Sequence, residues 1–430
     1  MTDFVSSFGN YPKVQHNNIY YLNWLDDDIN FSDNISILPY GLGKSYGDSC
    51  LNSNNNLIVT RNLNRLIEFD NENGQLTVES GITLEECLEF LIPRGWFLPV
   101  TPGTKLITVG GALANDVHGK NYHKAGSFGN HVLGFELLRS DGTLLWCSEE
   151  INSDLFFASI GGIGLTGLIT KIKFRNIRCN STYIQSESIK FKSLEEFLDL
   201  SNESENFEYS VSWLDTNNLH SGIFSRGNFI RDDSYPSILH SRKKINIPFN
   251  LDFINPLTVK TFNTLYYSKQ FEKKSKNIIH YDSFFYPLDK INNWNKFYGK
   301  KGFLQYQFVI PFESVNKYLS KILKSITSFT NSSFLTVIKT FGQIKSKGLM
   351  SFPMEGVTVA IDFKFTGFNL LKRLDYADKL VAEAGGRVYI AKDARMSQKA
   401  FMSFYPNHIH FSKFIDNKFS SDFWRRVSIL

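Results

Sequence analysis

Apolar and polar positions alternate most clearly in three stretches of this 430-residue chain. "GQLTVESG" (74–81), "FLQYQFVIPF" (303–312) and "VTVAIDFKF" (357–365) have a period of two and predict strands, as does the β-rich "LIVTRNL" (57–63). A helical period replaces it in "TLEECLEFLIPRG" (83–95), with Thr83 placed as N-cap and Glu86 at N3, the pattern of a capping box. It recurs in "LLKRLDYADKLVAEAGG" (370–386), which stops at Gly385-Gly386. "FELLRSDGTLLWCS" (135–148) predicts a hairpin turning at Asp141-Gly142. Residues 101–132 are rich in glycine and poor in helix signal, and a further glycine cluster in 154–174 leads into a strand. Past residue 180 glycine thins out and Ser, Asn and Lys become frequent, which marks a boundary.

Composition changes this picture little. The length allows two domains, and 42% hydrophobic with 21% charged residues is a soluble globular balance. Thirty-nine phenylalanines predict cores dominated by aromatic packing. Cys50, Cys87, Cys147 and Cys179 have no C-x-x-C spacing, so neither a metal site nor a disulfide framework is expected. The first residues lack a basic, then apolar, leader pattern and no run reaches 18 apolar residues, so the expected compartment is the cytoplasm. The net charge of +5 does not call for nucleic acid. Local charge is concentrated in 241–277. Arg242, Lys243, Lys244, Lys260, Lys269, Lys273, Lys274 and Lys276 face only Asp252 and Glu272, and Phe249, Phe253, Phe262, Tyr266, Tyr267 and Phe271 are interleaved. That composition suits peripheral contact with an anionic membrane or a nucleic acid surface, and equally a solvated insertion.

"GLGKSYGDS" (41–49) imitates a phosphate loop without being one of the familiar kinds. A Walker A motif needs glycine at position 38, which is Leu38, and after Gly41 and Gly43 the dinucleotide fingerprint needs its third glycine one residue before Gly47. Three glycine clusters nevertheless adjoin strands within 41–168, and the middle one carries Thr104, Thr108, Asn115 and His118. Backbone amides on several loops suit a long ligand with a pyrophosphate in its middle.

The succession "GLGKSYGD", "PVTPGT", "GGALANDVHGKN", "GSFGNHV" and "GGIGLTGLIT" resembles the flavin domain of the vanillyl-alcohol-oxidase-type (PCMH-type) FAD oxidoreductases. With "YSVSWLD", "FFYPLD", "FLQYQFVIP", "SFPMEG" and "VYIAKDAR", the resemblance extends over nearly the whole chain to the decaprenylphosphoryl-ribose 2-oxidase branch. It implies an α+β fold, with a two-part FAD-binding domain at 1–180, a substrate domain on an antiparallel sheet at 181–386 and a returning segment at 387–430. It implies that Gly41, Leu42, Gly43, Lys44, Ser45, Tyr46, Gly47 and Asp48 wrap the FAD pyrophosphate. Pro102, Gly103, Thr104, Thr108, Val109, Gly110 and Gly111 would line the pyrophosphate and flavin edge. Asn115, Asp116, Val117, His118 and Gly119 would run beside the isoalloxazine, with Gly164, Gly167 and Leu168 at the adenine end and Tyr389 closing over the cofactor. Many relatives attach FAD through a histidine in the first loop. Lys44 stands there instead, so non-covalent FAD is expected.

Oxidation of a secondary alcohol needs a hydride acceptor, a base for the hydroxyl proton and groups that hold the carbinol carbon. Candidates for the base are Lys392, Tyr46 and His118, and the resemblance puts Lys392 beside the substrate hydroxyl. Gln305 and Gln307 share one strand face and, with Lys120 and Lys339, are candidates to hold a ribose and its phosphate, although a half-exposed strand would show the same alternation. Where some relatives carry a cysteine facing the flavin, this chain has Ala360. The resemblance implies oxidation at C2 of a polyprenyl-phosphate pentose, with the keto product reduced by an NAD(P)H-dependent short-chain partner. An oxidase of a soluble alditol or aldonolactone is the alternative, and a non-catalytic flavoprotein a third.

Overall fold

The computed structural model describes residues 5–27, 29, 35–232, 234–239, 244–327, 333 and 335–428; Arg242 and Lys243 lie outside them. Among the described residues the strands form five sheets. In the glycine-rich half, β1 (Ile19–Tyr21), β2 (Ile37–Tyr40) and β3 (Asn56–Val59) make a parallel sheet in the order β1-β3-β2. Beside it β4 (Leu66–Asp70), β5 (Gln75–Glu79), β7 (Val132–Leu138), β8 (Leu144–Cys147) and β9 (Leu168–Arg175) make an antiparallel sheet in the order β4-β5-β9-β7-β8. β6 (Trp96–Phe97) pairs with β10 (Ile177–Arg178).

The other half is one eight-stranded antiparallel sheet. Its members are β11 (Tyr183–Phe191), β12 (Tyr209–Leu214), β13 (Gly222–Phe229), β15 (Lys274–His280), β17 (Phe303–Ile310), β18 (Thr336–Phe341), β19 (Gly356–Lys364) and β20 (Arg387–Val388), ordered β15-β11-β13-β12-β18-β19-β17-β20. β14 (Ile245–Asn246) and β16 (Ile291–Asn292) form a small parallel pair apart from it.

Period two decides what each face of this sheet does. Leu304, Tyr306, Phe308 and Ile310 of β17, with Val357, Val359, Ile361 and Phe363 of β19, enter one core with the helices at Phe312–Thr327 and Phe368–Glu383. The intervening Gln305, Gln307, Thr358, Ala360 and Asp362 therefore point the other way, toward the glycine-rich half. All eight residues of β17 are buried, so the half-exposed strand is excluded: the second face is covered by the other half of the molecule.

Local signals hold where they are chemically specific. Thr83 Oγ1 accepts from Glu86 N at 3.1 Å and Glu86 Oε2 accepts from Thr83 N at 2.8 Å, the complete capping box of the Leu84–Leu91 helix. The hairpin forms, although Leu138 pairs with Leu144, so its loop is the five residues 139–143 with Gly142 at φ +82°. In the 101–132 stretch a short helix, Val109–Ala114, starts on an N-cap bond from Gly111 N to Thr108 Oγ1 (3.1 Å). Its glycines hid it.

The end of the chain packs on the glycine-rich half. Ile37 bridges to Phe419, Asp422 N donates to Leu51 O at 2.8 Å, and Arg426 reaches both Asp48 (2.8 Å) and Asp393 (2.9 Å).

Candidate active site

One cavity of about 920 Å³ runs from the glycine loops to the inner face of the eight-stranded sheet. Its volume lies near the upper end of the roughly 300–1,000 Å³ usual for ligand sites. At one end it is walled by Gly41 to Tyr46, Pro102 to Thr104, Thr108, Gly110, Gly111, Gly164, Gly167 and Leu168. Consecutive backbone N–H groups of Leu42, Gly43, Lys44 and Ser45 have no protein acceptor among the described residues, whereas the next, Tyr46 N–H, donates to Ala391 O at 2.9 Å. Gly43 sits at φ +58°, and a Cβ on it would run into the Tyr40 hydroxyl and Ser6 carbonyl. Ser49 and Ser80 line the same end with buried hydroxyls that lack partners among the described residues. Such a run of free amides beside unpaired hydroxyls is a cradle for phosphate oxygens, so the residues fit a bound dinucleotide.

The other end is cationic. Lys120, Lys339 and Lys392 all line it, and desolvation lowers each to about 7. Repulsion from Lys120 and Lys392 adds to the effect on Lys339, while Asp362 opposes it on Lys392. Lys339 Nζ donates to Gly119 O at 2.8 Å, Lys120 Nζ donates to Phe284 O, and Lys392 Nζ lies 3.8 Å from the centre of the Tyr46 ring. Burial and the Asp362 charge hold the Tyr46 phenol well above its usual value, so it stays protonated.

His118 is the neutral member. Burial, then Lys339 and Lys392, push it well below the usual histidine value, so no second proton resides on the ring. Gln307 Nε2 lies 3.0 Å from His118 Nε2, and an amide N–H can only donate there. The ring proton is thereby assigned to Nδ1, which is buried and has no partner among the described residues. His118 lines the cavity with this donor unused. Tyr389 stacks on Phe352 (4.6 Å between centroids), and its hydroxyl donates to Asn115 O at 2.7 Å, fastening the C-terminal segment over this wall.

Four expected cofactor contacts are turned away from the cavity. Asp48 is spent on Arg426, and Gly47 packs against the Asp393 carbonyl so closely that no Cβ would fit. Val109 is fully buried as the first residue of its helix. Asp116 is fully buried and accepts from Gly129 N (2.9 Å) and Ser351 Oγ (2.5 Å), holding the loop that carries His118.

Two carboxylates escaped the sequence. Asp362, on β19, accepts from Gln305 Nε2 at 2.6 Å and Tyr298 Oη at 3.2 Å. Burial raises it to about 7 against the opposing pull of Gln305, Lys392 and Tyr298. Its signal was its position two residues after Ala360, hence on the same face. Asp289 accepts from Lys105 N at 2.9 Å, lines the cavity and partly offsets the desolvation of Lys44. Nothing in its local sequence marks it.

Residues 30–148 match the FAD binding domain family, in keeping with the cradle. The chain is 34% identical over 417 residues to decaprenylphosphoryl-β-D-ribose oxidase of Mycolicibacterium smegmatis, covering 92% of this chain and 89% of that protein. The chain belongs to the decaprenylphosphoryl-β-D-ribose oxidase family. Family membership extends the likeness well beyond the flavin half. By contrast, the mouse L-gulonolactone oxidase is 31% identical over 137 residues, 32% of this chain and 30% of that one. A Streptomyces coelicolor protein described by its place in the mprA 5′ region is 27% identical over 373 residues, 81% of this chain and all of that one.

Proposed function

We propose that this FAD-dependent oxidoreductase oxidises the C2 hydroxyl of a polyprenyl-phosphate-linked ribose to the 2-keto sugar. The observation that carries this reading is the convergence of three desolvated lysines, two glutamines and a neutral histidine on one end of a cavity whose other end is a phosphate cradle. A soluble alditol carries no anion and gives no use for Lys120 and Lys339. When bound, FAD supplies the two-electron acceptor for the carbinol hydride.

Within that reading Lys120 and Lys339 hold the substrate phosphate, and Gln305, Gln307 and His118 orient the sugar. Lys392, poised near neutrality, takes the hydroxyl proton in its amine form. Tyr46, kept protonated, offers its ring to the Lys392 head and screens it from solvent. The cofactor is held without a covalent bond. The first loop has Lys44 in place of histidine, and Cys50, the cysteine lining the cavity, is pushed up to about 12 by burial and stays an unreactive thiol. The keto product is reduced by a separate NAD(P)H-dependent protein. Residues 1–180 and 387–430 form the cofactor half, which also lends His118, Lys120 and Lys392 to the substrate end, and 181–386 form the substrate half.

Contact with a membrane is peripheral in this reading, since no helix of the described residues is long and apolar enough to cross one. The decisive experiment is anaerobic mixing with synthetic polyprenyl-phosphoryl riboses and, separately, with free pentoses, alditols and aldonolactones. Bleaching of the flavin absorbance by the phospho-lipid sugars alone is expected. Bleaching by free sugars at least as fast would sink the reading.

A further inference from the structure

The cavity does not stop at the lysines. It continues across the eight-stranded sheet along one register-aligned row, and the chemistry of that row changes along its length. Gln307 pairs with Ala360, Ala360 with Val337, Val337 with Trp213, and Trp213 with Ile223, all lining the same cavity. Four interstrand steps of about 4.8 Å make this floor about 19 Å long. It begins polar, at Gln307 beside His118 and Lys339, and turns apolar within one strand. At the far end the floor stays low because Ser188 and Ser225, opposite each other on β11 and β13, are small and lie 3.5 Å apart, oxygen to oxygen.

A roof covers that end. Tyr266 of the Pro256–Lys269 helix lines the cavity and packs edge-on against Trp213, with ring centroids 4.9 Å apart. The same helix leaves Leu257 and Leu265 on its outside at 74% and 66% exposure, an apolar outer surface on the element that roofs the passage.

We infer that this passage is the binding site for the isoprenoid tail of the substrate, which leaves the phosphate at Lys120 and Lys339 and crosses β18, β12 and β13 beneath the Pro256–Lys269 helix. The inference rests on the proposed phospho-lipid substrate. Three observations single out that occupant: continuity with the cationic site, the change from the Gln307 amide to the aliphatic and indole lining of Ala360, Val337, Trp213 and Ile223, and the small Ser188 and Ser225 side chains at the far end. A soluble sugar phosphate would end at the lysines and, since Lys339 shares β18 with Val337, leave the two further interstrand steps to Trp213 and Ile223, about 10 Å of floor, unused. An extended hydrocarbon joined to a phosphate uses all of it, since each methylene withdrawn from water adds to binding.

The test compares ribosyl phosphates bearing two-isoprene and six-isoprene tails in steady-state turnover with an artificial electron acceptor. In the wild type kcat/KM should favour the longer tail by tenfold or more. Ser225→Phe, which fills the passage, should bring that ratio toward one, chiefly through KM, and Trp213→Ser should reduce it through lost contact. Retention of bound FAD and an unchanged circular dichroism spectrum would certify the fold of each variant. Binding is read separately by tryptophan fluorescence. Farnesyl phosphate should quench the wild type and inorganic phosphate should not, and the quench should be lost in Trp213→Phe. If the riboses on both tails are oxidised equally in wild type and variants, the passage is not the tail site, while the proposed reaction stands. If neither tail bleaches the flavin, both fail.

Discussion

Lys392 shows how a single side chain takes its role from its surroundings. In "YIAKD" it reads as an ordinary lysine at the end of a strand, and the fold turns it into a desolvated amine of pKa about 7 above the Tyr46 ring. Lys392→Ala should fold and keep FAD, because the unpaired amides of the first loop belong to other residues. Its flavin reduction rate should fall by about two orders of magnitude or more, the usual scale for a positioned acid–base group. Arginine should not rescue it, since a guanidinium stays charged. A stopped-flow rate within threefold of wild type would remove Lys392 from the mechanism. A base acts when unprotonated, so reduction in the wild type should rise with pH through about 7 and level off above. Asp362 pulls the Lys392 value upward, so Asp362→Asn should move that acid limb to lower pH; an unmoved limb would assign the titration to another group. At Lys44 the outcome is simpler. Acid precipitation should release all the FAD into the supernatant, and flavin that stays with the pellet would contradict non-covalent binding.

At the scale of elements, the Pro256–Lys269 helix is built inside out. Asn255 caps it through Leu257 N and Thr258 N, with Pro256 at the first position, so its start was written locally. Its buried positions are Val259 and the polar Asn263, whose amide donates to Asp215 Oδ1 at 3.0 Å, while Leu257 and Leu265 face outward. Phe271, two residues past its end, is 95% exposed. The basic residues that made this region suggest a membrane are partly occupied: Lys244 pairs with Glu85, Lys273 with Glu196 and Lys274 with Glu187. Apolar insertion should therefore dominate, at roughly 1.5–3 kcal/mol for each large side chain that buries fully. Replacing Leu257, Leu265 and Phe271 together by serine should abolish co-sedimentation with anionic liposomes, and reversing Lys260 and Lys269 should only weaken it. Undiminished binding by the serine variant would show that this helix does not touch lipid. This helix was poorly legible because its buried positions are few and partly polar while its leucines face outward, and the Val109–Ala114 helix because its glycines mask it despite a local Thr108 cap. The Leu84–Leu91 helix was fully legible, because its capping box is local.

For the whole molecule, the cavity is a concentration of unfavourable charge, and its pH dependence has a definite sign. A lysine lowered to about 7 holds a proton in the unfolded chain until about 10.4, so its penalty is complete below pH 7 and is relieved between pH 7 and 10. Asp362, raised to about 7, adds a penalty that grows between about pH 4 and 7. These four groups therefore destabilise the protein most near pH 7, where an anionic ligand would offset them. The double variant Lys120→Met with Lys339→Met should melt at a higher temperature than wild type at pH 7, and the gap should narrow toward pH 10. A gap independent of pH would mean that the two lysines are not desolvated in the fold. Local and periodic features were legible in the linear chain: the β17 and β19 faces, the Thr83 cap, the glycine loops, and the motifs whose order betrays the family. Those depend on neighbours a few residues apart, which a linear reading contains. Folding in three dimensions set the burial of Gln305 and Gln307, the scaffold role of Asp48 and Asp116, the pull of Asp362 on Lys392, and the extension of the cavity floor past Trp213. Each is set by residues far apart in the chain, because burial and electrostatic coupling depend on distance in space.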